Sequence, residues 1–165
     1  MSQIGASNGG SLSLLNRRLF QVAYVTNDLE RAMDVMKARY GVREFALLHH
    51  GAPGEFQTTA ALAWAGAIMV EIIQAQGPGT EFYTDRLPGT GFAIRHHHLG
   101  YLVQELGEWE AVHALALRQE LPAPLSGENH SFKALYVEAP ELGHYLEYIY
   151  AKEDGRAFFD AVPRC

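Results

Sequence analysis

The chain has 165 residues, 48% of them hydrophobic and 19% charged, with a formal net charge of −6. That length supports a core without covalent staples, and the acidic balance argues against non-specific nucleic-acid binding and against a polybasic membrane surface. The single cysteine, Cys165, ends the sequence, so an intramolecular disulfide and a cysteine-based zinc site are both excluded.

Residues 1–16 are rich in Gly, Ser and Asn and lack periodicity, which predicts a flexible arm. LFQVAYV at 19–25 predicts a buried strand interrupted by Gln21. In TNDLERAMDVMKARYG, Leu29, Ala32, Met33, Met36 and Tyr40 form an apolar stripe at helical spacing. Asn27 and Glu30 form a capping box there, and Gly41 the stop. Strands are expected at 43–48, 57–65 and 67–74, closing a first module over 17–76. Residues 77–93 are a glycine- and proline-containing linker.

The pattern then returns over 94–152. HHHLGYLV at 96–103 predicts a strand, 105–121 a helix ending before Pro122, and 130–137 and 143–150 two strands, with a short strand near 121–126. Residues 153–165 are expected to be a tail. QVAYVTNDL at 21–29 aligns with HLGYLVQEL at 98–106, 77 positions on, and AIMVEIIQ at 67–74 with GHYLEYIY at 143–150, 76 positions on. Two segments agreeing within one residue indicate a duplicated strand-helix-strand-strand-strand unit.

The duplication places four polar residues in equivalent, otherwise apolar strand positions: Gln21 with His98, and Glu71 with Glu147. A carboxylate inside MVEII needs a reason, because burying it unpaired is costly. Strand alternation puts Glu71 with Met69 and Ile73, Gln21 with Ala23 and Val25, and His98 with Gly100 and Leu102. Tyr101 and Val103 point the other way, under the helices. Two glutamates, one imidazole and one amide oxygen converging on a concave face make a mixed nitrogen and oxygen site. It suits one divalent ion such as nickel, cobalt, zinc, manganese or magnesium, with two octahedral positions left open. By alternation His96 shares the face of His98 and competes with it as ligand; the alignment with Gln21 favours His98. His49, His50, His113, His130 and His144 have no repeat partner and read as surface or packing residues.

With these segments the chain resembles the vicinal oxygen chelate superfamily, which includes glyoxalase I, methylmalonyl-CoA epimerase, bleomycin-resistance proteins and extradiol dioxygenases. The resemblance covers 18–151 and rests on QVAYVTNDL and HHLGYLVQEL, on MVEII and YLEYI, and most of all on GHYLEY. It implies an α+β fold in which two tandem βαβββ modules form a cup-shaped mixed sheet with helices outside. It also implies metal ligation by Gln21, Glu71, His98 and Glu147, a combination that looks like one glyoxalase I branch. Epimerases more often carry His first and Gln second. Gln21 breaks the two-histidine, one-glutamate triad of the extradiol dioxygenases.

The chemistry so implied is proton transfer next to a carbonyl, by a lyase, isomerase or epimerase. The divalent ion stabilises an enediolate or enolate, Glu147 is the first base and Glu71 the second acid/base. The substrate is a small carbonyl compound or thioester, and the expected protein is a cytoplasmic homodimer without nucleic-acid or membrane partners. The alternative is a non-catalytic, bleomycin-resistance-like binder with an aromatic cleft drawn from Phe82, Tyr83, Phe92, Tyr145, Tyr148 and Tyr150.

Overall fold

The structure, a computed structural model, describes residues 13–165; most of the expected arm lies outside that range. Eight strands and four helices follow in the order β1 (Arg18–Thr26), α1 (Leu29–Tyr40), β2 (Ala46–His50), β3 (Gln57–Ala65), β4 (Ile68–Gln76), α2 (Glu81–Thr84), β5 (Ile94–Val103), α3 (Leu106–Arg118), β6 (Leu125–Glu128), β7 (Phe132–Ala139), β8 (His144–Ala151) and α4 (Glu153–Ala161). All eight strands form one sheet, ordered β2-β3-β4-β1-β5-β8-β7-β6. Each half is one βαβββ unit, and β1 and β5 join the halves antiparallel at the centre. The expected α+β fold of two modules is therefore the observed one.

The register shows the duplication residue by residue. In the first half Gln21 pairs with Met69 and Ala23 with Glu71; in the second His98 pairs with Tyr145 and Gly100 with Glu147. Across the seam Gln21 faces Gly100 and Ala23 faces His98. Exchanging each residue for its repeat partner maps the first of these pairs onto the second, as a pseudo-twofold axis through the seam requires.

Apolar residues on the two faces of the sheet explain the layers. Outside, α1 lays Leu29 and Ala32 on Ala61 and Ile72, and α3 lays Trp109, Val112 and Ala116 on Tyr101, Val103, Leu135 and Leu146. Inside the cup, Phe20, Ala60, Leu62, Trp64, Met69 and Ile73 form a third cluster. Part of that inner face is covered by α4, within the stretch expected to be a tail. Its Phe159 lies 5.4 Å from Phe20 and 5.0 Å from Phe132 between ring centroids, and its carbonyl accepts a hydrogen bond from Trp64 Nε1. The Trp64 amide donates to the Pro163 carbonyl, and the Cys165 amide donates to Trp64.

Three local details differ from the sequence expectation. The N-cap of α1 is Asp28, whose carboxylate accepts from the Arg31 amide. Asn27 is turned away instead, bonding Gly91 and Ala93 and so anchoring the linker. Gly41 does end the helix, in the left-handed conformation at φ 76°. The linker itself contains α2, whose Phe82 and Tyr83 pack inward. Of the first described residues, Leu14 packs on the α3 cluster and its carbonyl accepts from Tyr148 Oη at 2.9 Å. No helix among the described residues is long and apolar enough to cross a membrane.

Candidate metal centre

Two parallel rows of side chains cross the floor of the cup. One runs Leu62, Glu71, Ala23, His98, Tyr145; its symmetry mate runs Met69, Gln21, Gly100, Glu147, Tyr136. Each row carries a glutamate from one module and the first-strand polar residue of the other, flanking a small residue. Neighbouring strands lie ~4.8 Å apart, so residues two strands apart can meet only by leaning over what stands between. Ala23 and Gly100 allow that. A Cβ built on Gly100 would sit 2.6 Å from Gln21 Oε1 and 2.8 Å from Gln21 Cβ, so the second row closes only over glycine.

The result is a compact cluster. His98 Nε2 lies 3.0 Å from Glu147 Oε2 and 3.4 Å from Glu71 Oε2, and one ligating atom from each of the three falls within 4.8 Å of the others. All three are buried, as is Gln21. Gln21 Nε2 turns toward Met69 Sδ at 3.9 Å, leaving Oε1 over Gly100. Of the four sequence-predicted residues, the three ionisable ones thus come together directly, and Gln21 stands beside them across Gly100.

The hydrogen-bonding account of this cluster is incomplete. Gln21 Oε1, His98 Nε2 and Glu147 Oε2 are buried without an aligned hydrogen-bond partner, although the last two are only 3.0 Å apart. His98 Nε2 and Glu147 Oε2 have only each other and Glu71 to face, and Gln21 Oε1 has no partner; an unsatisfied buried polar atom costs ~1–3 kcal/mol. Two carboxylates, an imidazole nitrogen and an amide oxygen form a hard, anionic donor set for a divalent cation, so the residues present fit one.

The electrostatics agree. Burial pushes the Glu71 carboxyl above the usual range, opposed by the neighbouring His98. Burial alone would lower the His98 pKa, but Glu147 and then Glu71 outweigh it and hold it at about 9. Without a metal, a protonated His98 is therefore the cation that the two carboxylates share.

His96 is not part of this cluster. The β1–β5 register shifts between Ala23, which faces His98, and Tyr24, which faces His96. His97 is thus an extra, bulged residue, and the shift turns His96 to the opposite face from His98. There it packs edge-on to Tyr24 and His144. Of the other histidines, His50 reaches the rim of the cavity described next, His49 contacts Thr59 and His113 packs on Trp109.

Above the cluster opens a cavity of about 540 Å³, within the range of small-molecule sites. Glu71, Glu147, Tyr83 and Tyr136 line it beside the cluster; Phe56, Ala60, Ile73, Leu125, Phe132 and Ala134 add apolar wall, and Thr58, Ser126, Glu128 and Asn129 further polar groups. The Tyr136 ring lies 5.1 Å from the His98 ring. Burial first, and then the charge of Glu147, push the Tyr83 and Tyr136 hydroxyls well above their ordinary range, so both keep their protons. Sequence reasoning passed over Tyr136, although its place opposite Glu147 on the neighbouring strand would have marked it. Of the six aromatic residues expected for a cleft, Tyr83 lines the cavity. Phe82 and Tyr145 surround His97, Tyr148 and Tyr150 pack on the α3 side, and Phe92 on the α1 side.

No protein-family model and no curated protein sequence matches the chain. Solved structures match its fold. A methylmalonyl-CoA epimerase from Mycobacterium tuberculosis shares 13% identity and a TM-score of 0.56, over 88% of this chain and 94% of that one. An epimerase variant from Streptomyces coelicolor, in complex with 2-nitronate-propionyl-CoA, shares 10% identity and a TM-score of 0.57 over 82% and 97%. A hypothetical protein from Bacillus halodurans shares 12% and 0.56 over 84% and 96%. The chain thus has the fold of the methylmalonyl-CoA epimerases.

Proposed function

We propose that this protein is a metal-dependent, epimerase-like enzyme that moves a proton at a carbon next to a carbonyl. The observation that carries the reading is the convergence of three buried ionisable side chains, Glu71, His98 and Glu147, with one ligating atom of each within 4.8 Å of the others, beneath a cavity. Gln21, Glu71, His98 and Glu147 would hold a divalent ion, which would supply Lewis acidity next to the reacting carbon. The chain's own groups do the rest. Glu147 is the first base, because its carboxylate lines the cavity where the substrate's α-carbon would lie; Glu71, symmetry-related to it, is the second acid/base. Two carboxylates on opposite rows suit removal of a proton from one side and its return from the other. The protonated phenols of Tyr83 and Tyr136 are donors for substrate oxygen.

Related structures support the thioester class of substrate. A methylmalonyl-CoA epimerase of the same fold is in complex with methylmalonyl-CoA and an ammonium ion. A non-catalytic binder would account for the apolar walls, but not for two buried carboxylates and a buried imidazole beneath them.

The test is Glu147→Gln, assayed as turnover per bound metal ion together with exchange of the substrate's α-proton in deuterated water. With metal saturating, the amide still offers the ion an oxygen, more weakly than the carboxylate does, but it cannot accept the proton. A loss of ~10²–10⁴ in rate per metal is expected. Normal turnover and exchange would move the base to Glu71.

A further inference from the structure

His97 is fully buried, next to His98 and in contact with it, yet it belongs to none of the ligand positions. Its place follows from the bulge in β5. Without that extra residue, alternation would point it away from His98; with it, both rings lie on the inner side, 5.2 Å apart. Aromatic rings hold it from three directions: Tyr83 stacks on it at 5.1 Å, Phe82 meets it edge-on at 4.8 Å and Tyr145 lies at 5.0 Å.

Its two nitrogens make two contacts. Nε2 lies 3.0 Å from the Phe82 carbonyl oxygen, and Nδ1 lies 2.9 Å from His98 Nδ1. A carbonyl can only accept, so His97 Nε2 carries a hydrogen. No carboxylate among the described residues pairs with His97, and its ring is enclosed by aromatic groups, so the imidazole is neutral and Nδ1 is a lone pair. Two lone pairs do not meet at 2.9 Å; the hydrogen between the rings therefore belongs to His98 Nδ1. That leaves His98 Nε2, the atom facing Glu71 and Glu147, free to ligate.

We propose that His97 is a positioning residue: through the series Phe82 carbonyl, His97, His98 it fixes the tautomer and ring orientation of His98 so that Nε2 is the ligating nitrogen. This rests on the metal reading above and adds to it a partner that the ligand list alone does not contain. Partners of this kind behind a ligating histidine are typically worth ~10–100-fold in metal affinity.

The experiment is nitrogen-15 NMR of the histidine-labelled full chain, metal-free and zinc-loaded, with zinc dissociation constants for wild type, His97→Phe and His97→Asn. In wild type, His98 should carry hydrogen on Nδ1 in both forms and zinc on Nε2. His97→Phe keeps the ring and loses the acceptor, so it should bind zinc ~10–100-fold more weakly. His97→Asn restores an acceptor oxygen near the Nδ1 position and should recover most of that loss. The proposal is overturned if zinc sits on His98 Nδ1, or if His97→Phe binds zinc as wild type does. Equal weakening in both variants would also overturn it, by showing that ring shape matters and the acceptor does not. Should His97→Phe fail to fold, the wild-type spectra decide alone. Should wild type take up no zinc, the metal reading fails, and the metal-free spectrum still shows which ring holds the hydrogen.

Discussion

The two modules place a bulged residue at the same point and use it for different ends. In β1 the register shifts at Phe20, just before Gln21; in β5 it shifts at His97, just before His98. Both bulged residues are buried. Phe20 packs against Phe159 of α4, whereas His97 packs beneath α2 and bonds His98. On the metal reading proposed above, the ligand atoms explain the difference. Gln21 offers one carbonyl oxygen, so a filler behind it suffices. His98 offers two nitrogens, and something must choose between them. A symmetric backbone can thus carry an asymmetric site, in which the bulged residue is an apolar filler behind Gln21 and a hydrogen-bonding partner behind His98.

That contrast can be broken at several points. The largest effect is expected on the Phe20 side. Phe159→Ala removes the ring that Phe20, Phe132 and Phe158 contact, and losing a buried Phe side chain costs ~3–5 kcal/mol. Urea unfolding should show that loss while zinc affinity changes little. A drop well under 1 kcal/mol would make α4 peripheral to the first module.

Next is pH, to which only the His98 side should respond, because Gln21 does not titrate. Metal must displace the proton that His98 holds up to about 9. Apparent zinc affinity should therefore rise ~10-fold per pH unit, or ~1.4 kcal/mol, and level off near pH 9. Metal-free stability runs the other way. The His98 pKa is raised on folding, so its contribution is complete below 6.5 and fades as pH rises through about 9. Isothermal titration across that window checks the first; a flat affinity contradicts it.

Smaller effects separate the two symmetry-related floor residues. Gly100→Ala puts a methyl against Gln21, which should cost ~1–3 kcal/mol of stability by overpacking and weaken zinc binding by displacing the amide. At the matching position, Ala23→Gly adds no atom and should cost only ~0.5–1 kcal/mol. Equal costs at the two positions would mean that Gln21 does not lean over Gly100.

Much of this was legible in the sequence because duplication doubles every signal. The near-constant offset located β1 with β5 and β4 with β8, and the polar interruptions in apolar strands picked out Gln21, Glu71, His98 and Glu147. What was not legible depends on tertiary competition. Alternation assumes two residues per strand repeat, so the bulge at His97 was invisible. His96 was consequently placed on the wrong face, and His97 was passed over. Asn27 and Asp28 are both good caps, and the contest was decided by the linker, which takes Asn27 for Gly91 and Ala93. The helix α4 carries Gly155 near its start, a poor helix former. Its reason is packing: a Cβ there would run into the Ser131 carbonyl and the Phe132 ring.

The central claim is that both modules contribute to one metal centre, and metal content tests it most directly. Tag-free protein would be reconstituted, desalted and measured by elemental mass spectrometry as wild type, His98→Ala, Glu147→Gln and His50→Ala. The account predicts one divalent ion per four-residue set in wild type and in His50→Ala, whose side chain reaches the cavity rim but not the cluster. It predicts a sharp loss in His98→Ala and Glu147→Gln. No retained ion in wild type, or equal content in all four proteins, would contradict it.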